Sequence, residues 1–279
     1  MLNETKYLLV HADDAGLCHS ENIATIDCLR KGIVNSYSIM TPCVGFDEIA
    51  NFAKSNPEFD YGIHLTLTCE WETQKFGPIL PIYEVPSLVD KNGYFFKTRE
   101  ELKSSASVIE MTLELEAQIA KAYDYGLTPS HLDSHMYSIG ITRDFFSIYR
   151  NLGHKYNLPV FMNREVLSMV SKDSFIKESD FQIDHFHIGK YDDFISGTLE
   201  DYYYSVLDDL KPGLNILLLH PAYDNNEMRK ITINHPNFGS KWRQSDFNFA
   251  ISEKSKSKIE ENNIQLIDWR TINRMKNKY

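Results

Sequence analysis

The chain has 279 residues, of which 42% are hydrophobic, 24% charged and 13% aromatic. Its 29 Lys and Arg against 39 Asp and Glu give a formal net charge of −10. That balance argues against a duplex nucleic-acid partner, which demands a cationic face to displace counterions, and against an anionic membrane surface. No run approaches the ~18 uncharged residues of a transmembrane helix. The start, MLNETKYLLVHADDAG, lacks the apolar stretch of about 7–15 residues found in a secretory signal. Cys18, Cys28, Cys43 and Cys69 show no CxxC spacing, so reduced thiols in a cytoplasmic protein are expected.

In chain order, Tyr7–Ala12 reads as a buried strand, followed by a helix capped by Ser20, running to Lys31 and stopped by Gly32. Ser36–Met40 is a second strand, Phe46–Ser55 a helix, and Asp60–Leu67 a third strand. Residues 68–98 break the rhythm with Pro78, Pro81, Pro86, Gly77 and Gly93 among many aromatics. A loop this long inside a compact domain is usually a lid or an insert, and it is expected to cover the active end of the fold. A helix over Val108–Tyr125 precedes a fourth strand, His131–His135. Helix Arg143–Tyr156, strands Val160–Met162 and His185–Ile188, helix Leu199–Leu210 and strand Asn215–His220 follow. Helix Ser245–Asn262 and a short strand Gln265–Ile267 end the series. Strands alternating with helices predict an α/β fold with a parallel sheet, and about seven or eight such units suit a (β/α) barrel better than the alternative, an open doubly wound sheet. With no repeat or linker to divide it, the chain 1–279 is expected to be one domain with the inserted loop 68–98.

In such folds the working residues stand at the carboxyl ends of the strands. Asp13 and Asp14 end the first strand, His64 the third and His220 the seventh, while His131, Asp133 and His135 lie along the fourth. Histidines and carboxylates converging from several strand ends make a divalent-metal site with open positions. Alternation puts His131, Asp133 and His135 on one face. Adjacent Asp13 and Asp14 cannot both face inward from an ideal strand, but they can at a frayed end. There one would bind a metal while the other stays available as a base. His11 is expected to face away, into the helix layer, and His19, His154, His185, His187 and His235 to be structural or on the surface.

The segments HADDAG (11–16), GIHLTL (62–67), HLDSH (131–135) and LLLHPAYDN (217–225), in that order, closely resemble the YdjC-like carbohydrate deacetylases. The resemblance runs from Tyr7 to the helix after Trp242-Arg243-Gln244-Ser245. It implies a TIM-like barrel related to polysaccharide deacetylases, and removal of N-acetyl groups from small sugars such as chitooligosaccharides. It also implies one divalent metal, magnesium or zinc, on Asp14, His64 and His135, with Asp13 as base and His220 as acid. A homodimer with a small acetylated sugar as its ligand follows from the same likeness. Two positions depart from the family pattern: Ala15 where Phe is common, and Tyr137 where a third histidine often follows HxDSH.

Sugar recognition needs aromatic faces and polar groups near the cluster. Trp71, the run Tyr94-Phe95-Phe96 and Trp242 are candidates for the first, and Arg164, His131 and Asp133 for the second. Two other classes compete. A non-haem iron oxygenase would use His131 and Asp133 in a facial triad, although such triads usually sit on antiparallel jelly rolls. A non-catalytic sugar-binding barrel would need no aspartate base beside Asp14.

Overall fold

The computed structural model describes residues 4–276 except Ser174 and Ser179. Among these, seven strands form one sheet with every pairing parallel: β1 (Lys6–Ala15), β2 (Ser36–Ile39), β3 (Asp60–Leu65), β4 (Leu132–Ser134), β5 (His185–Ile188), β6 (Gly213–Leu219) and β7 (Gln265–Leu266). Their order is β4-β3-β2-β1-β6-β5, with β7 against β1. β1 is the central strand because it is buried without a break from Leu8 to Ala15, as a strand covered on both faces must be. It pairs with β7 at Tyr7 and Leu8, and with β2 from His11 onward. At the changeover Asn35 supplies what a strand would. Its Oδ1 accepts from Val10 N–H at 2.9 Å, and its Nδ2 donates to the Ile267 carbonyl at 2.9 Å.

The expected strand Val160–Met162 is reduced to one bridge, Leu132 to Val160. Pro159 has no N–H to give a ladder. The segment still spans the gap between β4 and β5: Phe161 N–H donates to Leu132, and Ile183 N–H to Met162. The parallel sheet thus curls into a partial barrel of the expected α/β class.

Several boundaries differ from expectation. Ser20 does not cap its helix, which begins at His19 after Cys18; its hydroxyl donates instead to Asn225 and to Glu227 beyond β6. The helix read as Ser245–Asn262 is two helices, Ser240–Ile251 and Glu253–Glu261, broken where Ser252 leaves helical geometry and caps the second through Ser255 N–H. The long loop is pinned to helix Val108–Asp124. Glu114 accepts from Ile79 and Leu80 N–H, Glu110 accepts from Ser87 N–H, and Gln118 bonds both backbone groups of Thr66. No helix among the described residues is long and apolar enough to cross a membrane, and all four cysteines are buried free thiols.

Candidate active site

The site begins with a defect in β1. Ala12 pairs with Tyr37 but Ala15 pairs with Ile39, so β1 carries one residue more than β2 across this interval. Asp14 takes φ +65°, an uncommon conformation for a non-glycine residue that clusters at functional sites. This bulge, rather than a frayed end, lets neighbouring aspartates turn into the same interior. Asp13 Oδ1 lies 3.3 Å from His11 Nε2 and 3.4 Å from the Ser38 hydroxyl. Its Oδ2 is 3.8 Å from His220 Nε2.

Asp14, His64 and His135 each offer a donor atom, and the three atoms lie within 4.8 Å of one another. Asp14 Oδ1 is 3.4 Å from His64 Nε2 and 3.0 Å from His135 Nδ1. The opposite atom of each side chain is already engaged. Arg243 donates to Asp14 Oδ2 at 2.8 Å, Asp133 Oδ1 lies 2.8 Å from His64 Nδ1, and Glu70 Oε2 lies 2.9 Å from His135 Nε2. Carboxylates behind ligand imidazoles fix their tautomer and aim. Two nitrogens and one oxygen, fully buried and facing one another, are a donor set that fits a divalent ion with open positions.

The charges explain why these groups tolerate burial. Burial alone would raise the Asp14 carboxyl, but His135, Arg243 and hydrogen bonds from both histidines hold it well below its usual range. Burial would lower His135, yet Glu70 and Asp14 outweigh it and raise the ring to about 9. His64 moves the same way, because the charges of Asp133 and Asp13 outweigh its burial. His220 behaves oppositely. Burial lowers it to about 4, with the Arg243 and His64 charges helping and Asp14 and Asp13 only partly opposing. Its ring is therefore neutral near pH 7. Asp246 accepts from His220 N–H at 2.8 Å and from the Tyr203 hydroxyl at 2.6 Å, which sets where β6 delivers the imidazole.

These groups share the wall of a cavity of about 840 Å³. Besides Asp14, His64 and His135, its lining includes the apolar side chains of Tyr137, Phe161, Val166 and Phe186, together with Lys190 and Tyr191. The turn after β4, where Met136 and Tyr137 both take positive φ at 52° and 48°, puts both residues in the lining.

The model of the YdjC-like protein family matches residues 7–261. The chain belongs to the YdjC-like family. A carbohydrate deacetylase of Thermoanaerobacter pseudethanolicus is 32% identical over 82% of this chain and 86% of its own length. A chitooligosaccharide deacetylase of Proteus mirabilis is 28% identical over 80% and 83%. A crystal structure of an Enterococcus faecalis V583 protein, described as a proposed cellobiose-phosphate cleavage protein, superposes with a TM-score of 0.79 at 26% identity. It covers 96% of this chain and 99% of that one. A family 4 carbohydrate esterase from Streptomyces lividans has a TM-score of 0.51 at 9% identity, over 94% and 91% of the two chains, a likeness of fold.

Within this YdjC-like chain the sequence-based assignments divide. Asp13, Asp14, His64, Asp133, His135 and His220 all line the cavity. His131 approaches Asp133, its Nε2 3.8 Å from Asp133 Oδ2, but it lies fully buried outside the cavity wall. It stacks on Trp269 at 4.7 Å, and a Cβ on Gly62 would fall 2.4 Å from its ring. Trp71 is corrected: it is 1% exposed, packed edge-on to His235 and against Arg243, and presents no face to the cavity. Phe95 and Trp242 are likewise core residues, and Tyr94 is outside the cavity wall. Arg164 is exposed and also off the wall, which its neighbour Glu165 reaches. The loop's one contribution to the wall is Glu70, whereas its aromatics mainly seat it on the barrel.

His11 was expected in the helix layer; it is 1% exposed and touches both Asp13 and Asp133. The signal was present, since residues two apart on a strand share a face. His185, His187 and His235 also line the cavity. Arg243 and Glu70 carry no pattern in the sequence that foretells their roles.

Proposed function

We propose that this YdjC-like protein is a divalent-metal-dependent carbohydrate deacetylase that removes N-acetyl groups from small sugars such as chitooligosaccharides. The observation that carries the reading is the convergence of the Asp14, His64 and His135 donor atoms beside Asp13 and His220 on one cavity wall. The named activities of the relatives agree with it. Two imidazoles among three donors favour zinc or another first-row ion over magnesium, which prefers oxygen ligands. When bound, such an ion supplies Lewis acidity toward the acetyl carbonyl and lowers the pKa of water.

The chain's own residues carry the protons. Asp13 takes a proton from the attacking water, whose oxygen bonds to the acetyl carbon. The C–N bond then breaks, the electron pair stays on nitrogen, and a proton must reach that nitrogen. His220 is neutral at rest, so it is not a stored acid. Its Nε2, 3.8 Å from Asp13 Oδ2, receives that proton and passes it to the leaving amine. Asp133 and Glu70 orient the two imidazoles, and Arg243 holds Asp14 by its outer oxygen.

The facial-triad oxygenase is not favoured. His11, His131 and Asp133 do bring donor atoms within 4.8 Å, but His131 is sealed off from the cavity and the sheet is wholly parallel. Buried free thiols support a reducing, cytoplasmic setting. The test is a panel of N-acetylated mono- and oligosaccharides and O-acetylated sugars. Equal amounts of acetate and free amine are expected from the N-acetylated members. Release from none of them would refute the reading.

A further inference from the structure

We infer that His11 is a positioning residue for Asp13: it clamps one oxygen of the base so that the other faces His220 and the cavity. The inference rests on the reading of Asp13 as the base. His11 stands one strand alternation below Asp13 on β1, so both side chains enter the same interior in successive layers. Its Nε2 lies 3.0 Å from Asp133 Oδ2 and 3.3 Å from Asp13 Oδ1. Asp133 uses its other oxygen on His64, 2.8 Å away. One imidazole therefore ties the base to the carboxylate that orients a metal ligand.

The remaining contacts show why the clamp acts through Nε2. The His11 Nδ1 is buried with no hydrogen-bond partner among the described residues. The ring meets His131 edge to face at 5.1 Å, and His131 is held in turn by Trp269 and by the Ser130 hydroxyl 2.8 Å from its Nδ1. The ring is thus wedged by packing, and its polar engagement among the described residues is with the two carboxylates. Burial would lower the pKa of His11, but hydrogen bonds to Asp13 and Asp133 and their charges raise it to about 9, consistent with Nε2 as the donor to both. Asp13 has two restraints on Oδ1, His11 and Ser38, and the Ser38 hydroxyl is shared with His64 at 3.1 Å. Without His11, Oδ1 is held by the Ser38 hydroxyl alone, at 3.4 Å and through a group shared with His64.

Four proteins test this: the wild type, His11→Leu, Asp13→Asn and the double variant, each assayed on an N-acetylated sugar with metal content and melting temperature recorded. Displacing a catalytic group by ~1 Å costs on the order of 10²-fold, so His11→Leu should lose about that much in kcat with KM and bound metal unchanged. Because His11 acts through Asp13, the double variant should be no slower than Asp13→Asn alone. His11→Gln, which restores an N–H donor, should recover part of the loss. Additive losses, a change confined to KM, or a kcat loss that merely follows a lowered melting temperature would overturn the inference. A crystal structure of His11→Leu gives an answer independent of turnover. The Asp13 carboxylate should have rotated away from its place beside Ser38. A carboxylate left in that place would contradict the role of His11 even if no sugar proved to be a substrate. An inactive wild type would instead count against the deacetylase reading.

Discussion

Alanine at His64 or His135 is expected to leave a folded protein that no longer retains a divalent ion and no longer releases acetate above the metal-free background. Each imidazole is one of three donors converging within 4.8 Å. Losing one leaves Asp14 with a single nitrogen partner, too few for a stable three-ligand site. Elemental analysis of the purified variants, with circular dichroism to confirm the fold, checks this. The same donors predict how binding depends on pH. In the metal-free protein His135 holds its proton up to about 9, because Glu70 and Asp14 outweigh its burial, and His64 is raised in the same sense. A cation must displace those protons. Affinity should therefore strengthen as pH rises toward 9 and weaken as it falls, with proton release on binding. Titration calorimetry in buffers of different ionisation enthalpy measures that release. Binding with no proton release would show that these rings are not the ligands.

Asp13→Asn and His220→Ala should each lower kcat by about 10²–10⁴-fold, the usual contribution of a positioned proton-transfer group. Both should keep the metal, in contrast to the His64 and His135 variants, since Asp13 and His220 stand beside the donor set rather than within it. The two should differ with leaving group. An activated aryl acetate departs without protonation, so His220→Ala should recover much of its rate there while Asp13→Asn stays slow. The His220 ring, lowered to about 4 by burial and by the Arg243 and His64 charges, also fixes the pH profile. An acid that had to be protonated at rest, with an ordinary imidazole pKa, would make kcat/KM fall between about pH 6 and 8. A neutral relay predicts no such fall from His220. If His220→Ala abolishes metal binding, His220 is a ligand and the assignment of roles is wrong.

The strand-and-helix alternation was legible because β1, β3 and β6 are short apolar runs ending in polar residues. The parallel topology and the position of the site at the carboxyl ends follow from that pattern. Val160–Met162 was over-read because apolar residues after a proline look like a strand whether or not a ladder forms. Asp14, His64 and His135 stand in sequence motifs, and the structure brings their donor atoms within 4.8 Å of one another, Asp14 against the parity of its strand. His11 was misplaced against its own parity with Asp13. The bulge at Asp14 left no local signature, since it is a difference in register between β1 and β2. Arg243 reaches Asp14 across 229 residues and Glu70 reaches His135 across 65, distances over which pattern reading has no purchase. Trp71 shows the opposite error: an aromatic in a long loop suggests a sugar platform, but its indole packs against Arg243 and serves the loop's seating.

The most direct test of the central claim is acetate release from an N-acetylated chitooligosaccharide by protein stripped with a chelator and then titrated with zinc. Activity should be absent after stripping and return in proportion to zinc, reaching its plateau at one ion per chain, with Asp14→Ala failing to respond. Full activity in the stripped protein, or a plateau that Asp14→Ala reaches equally well, would contradict the account.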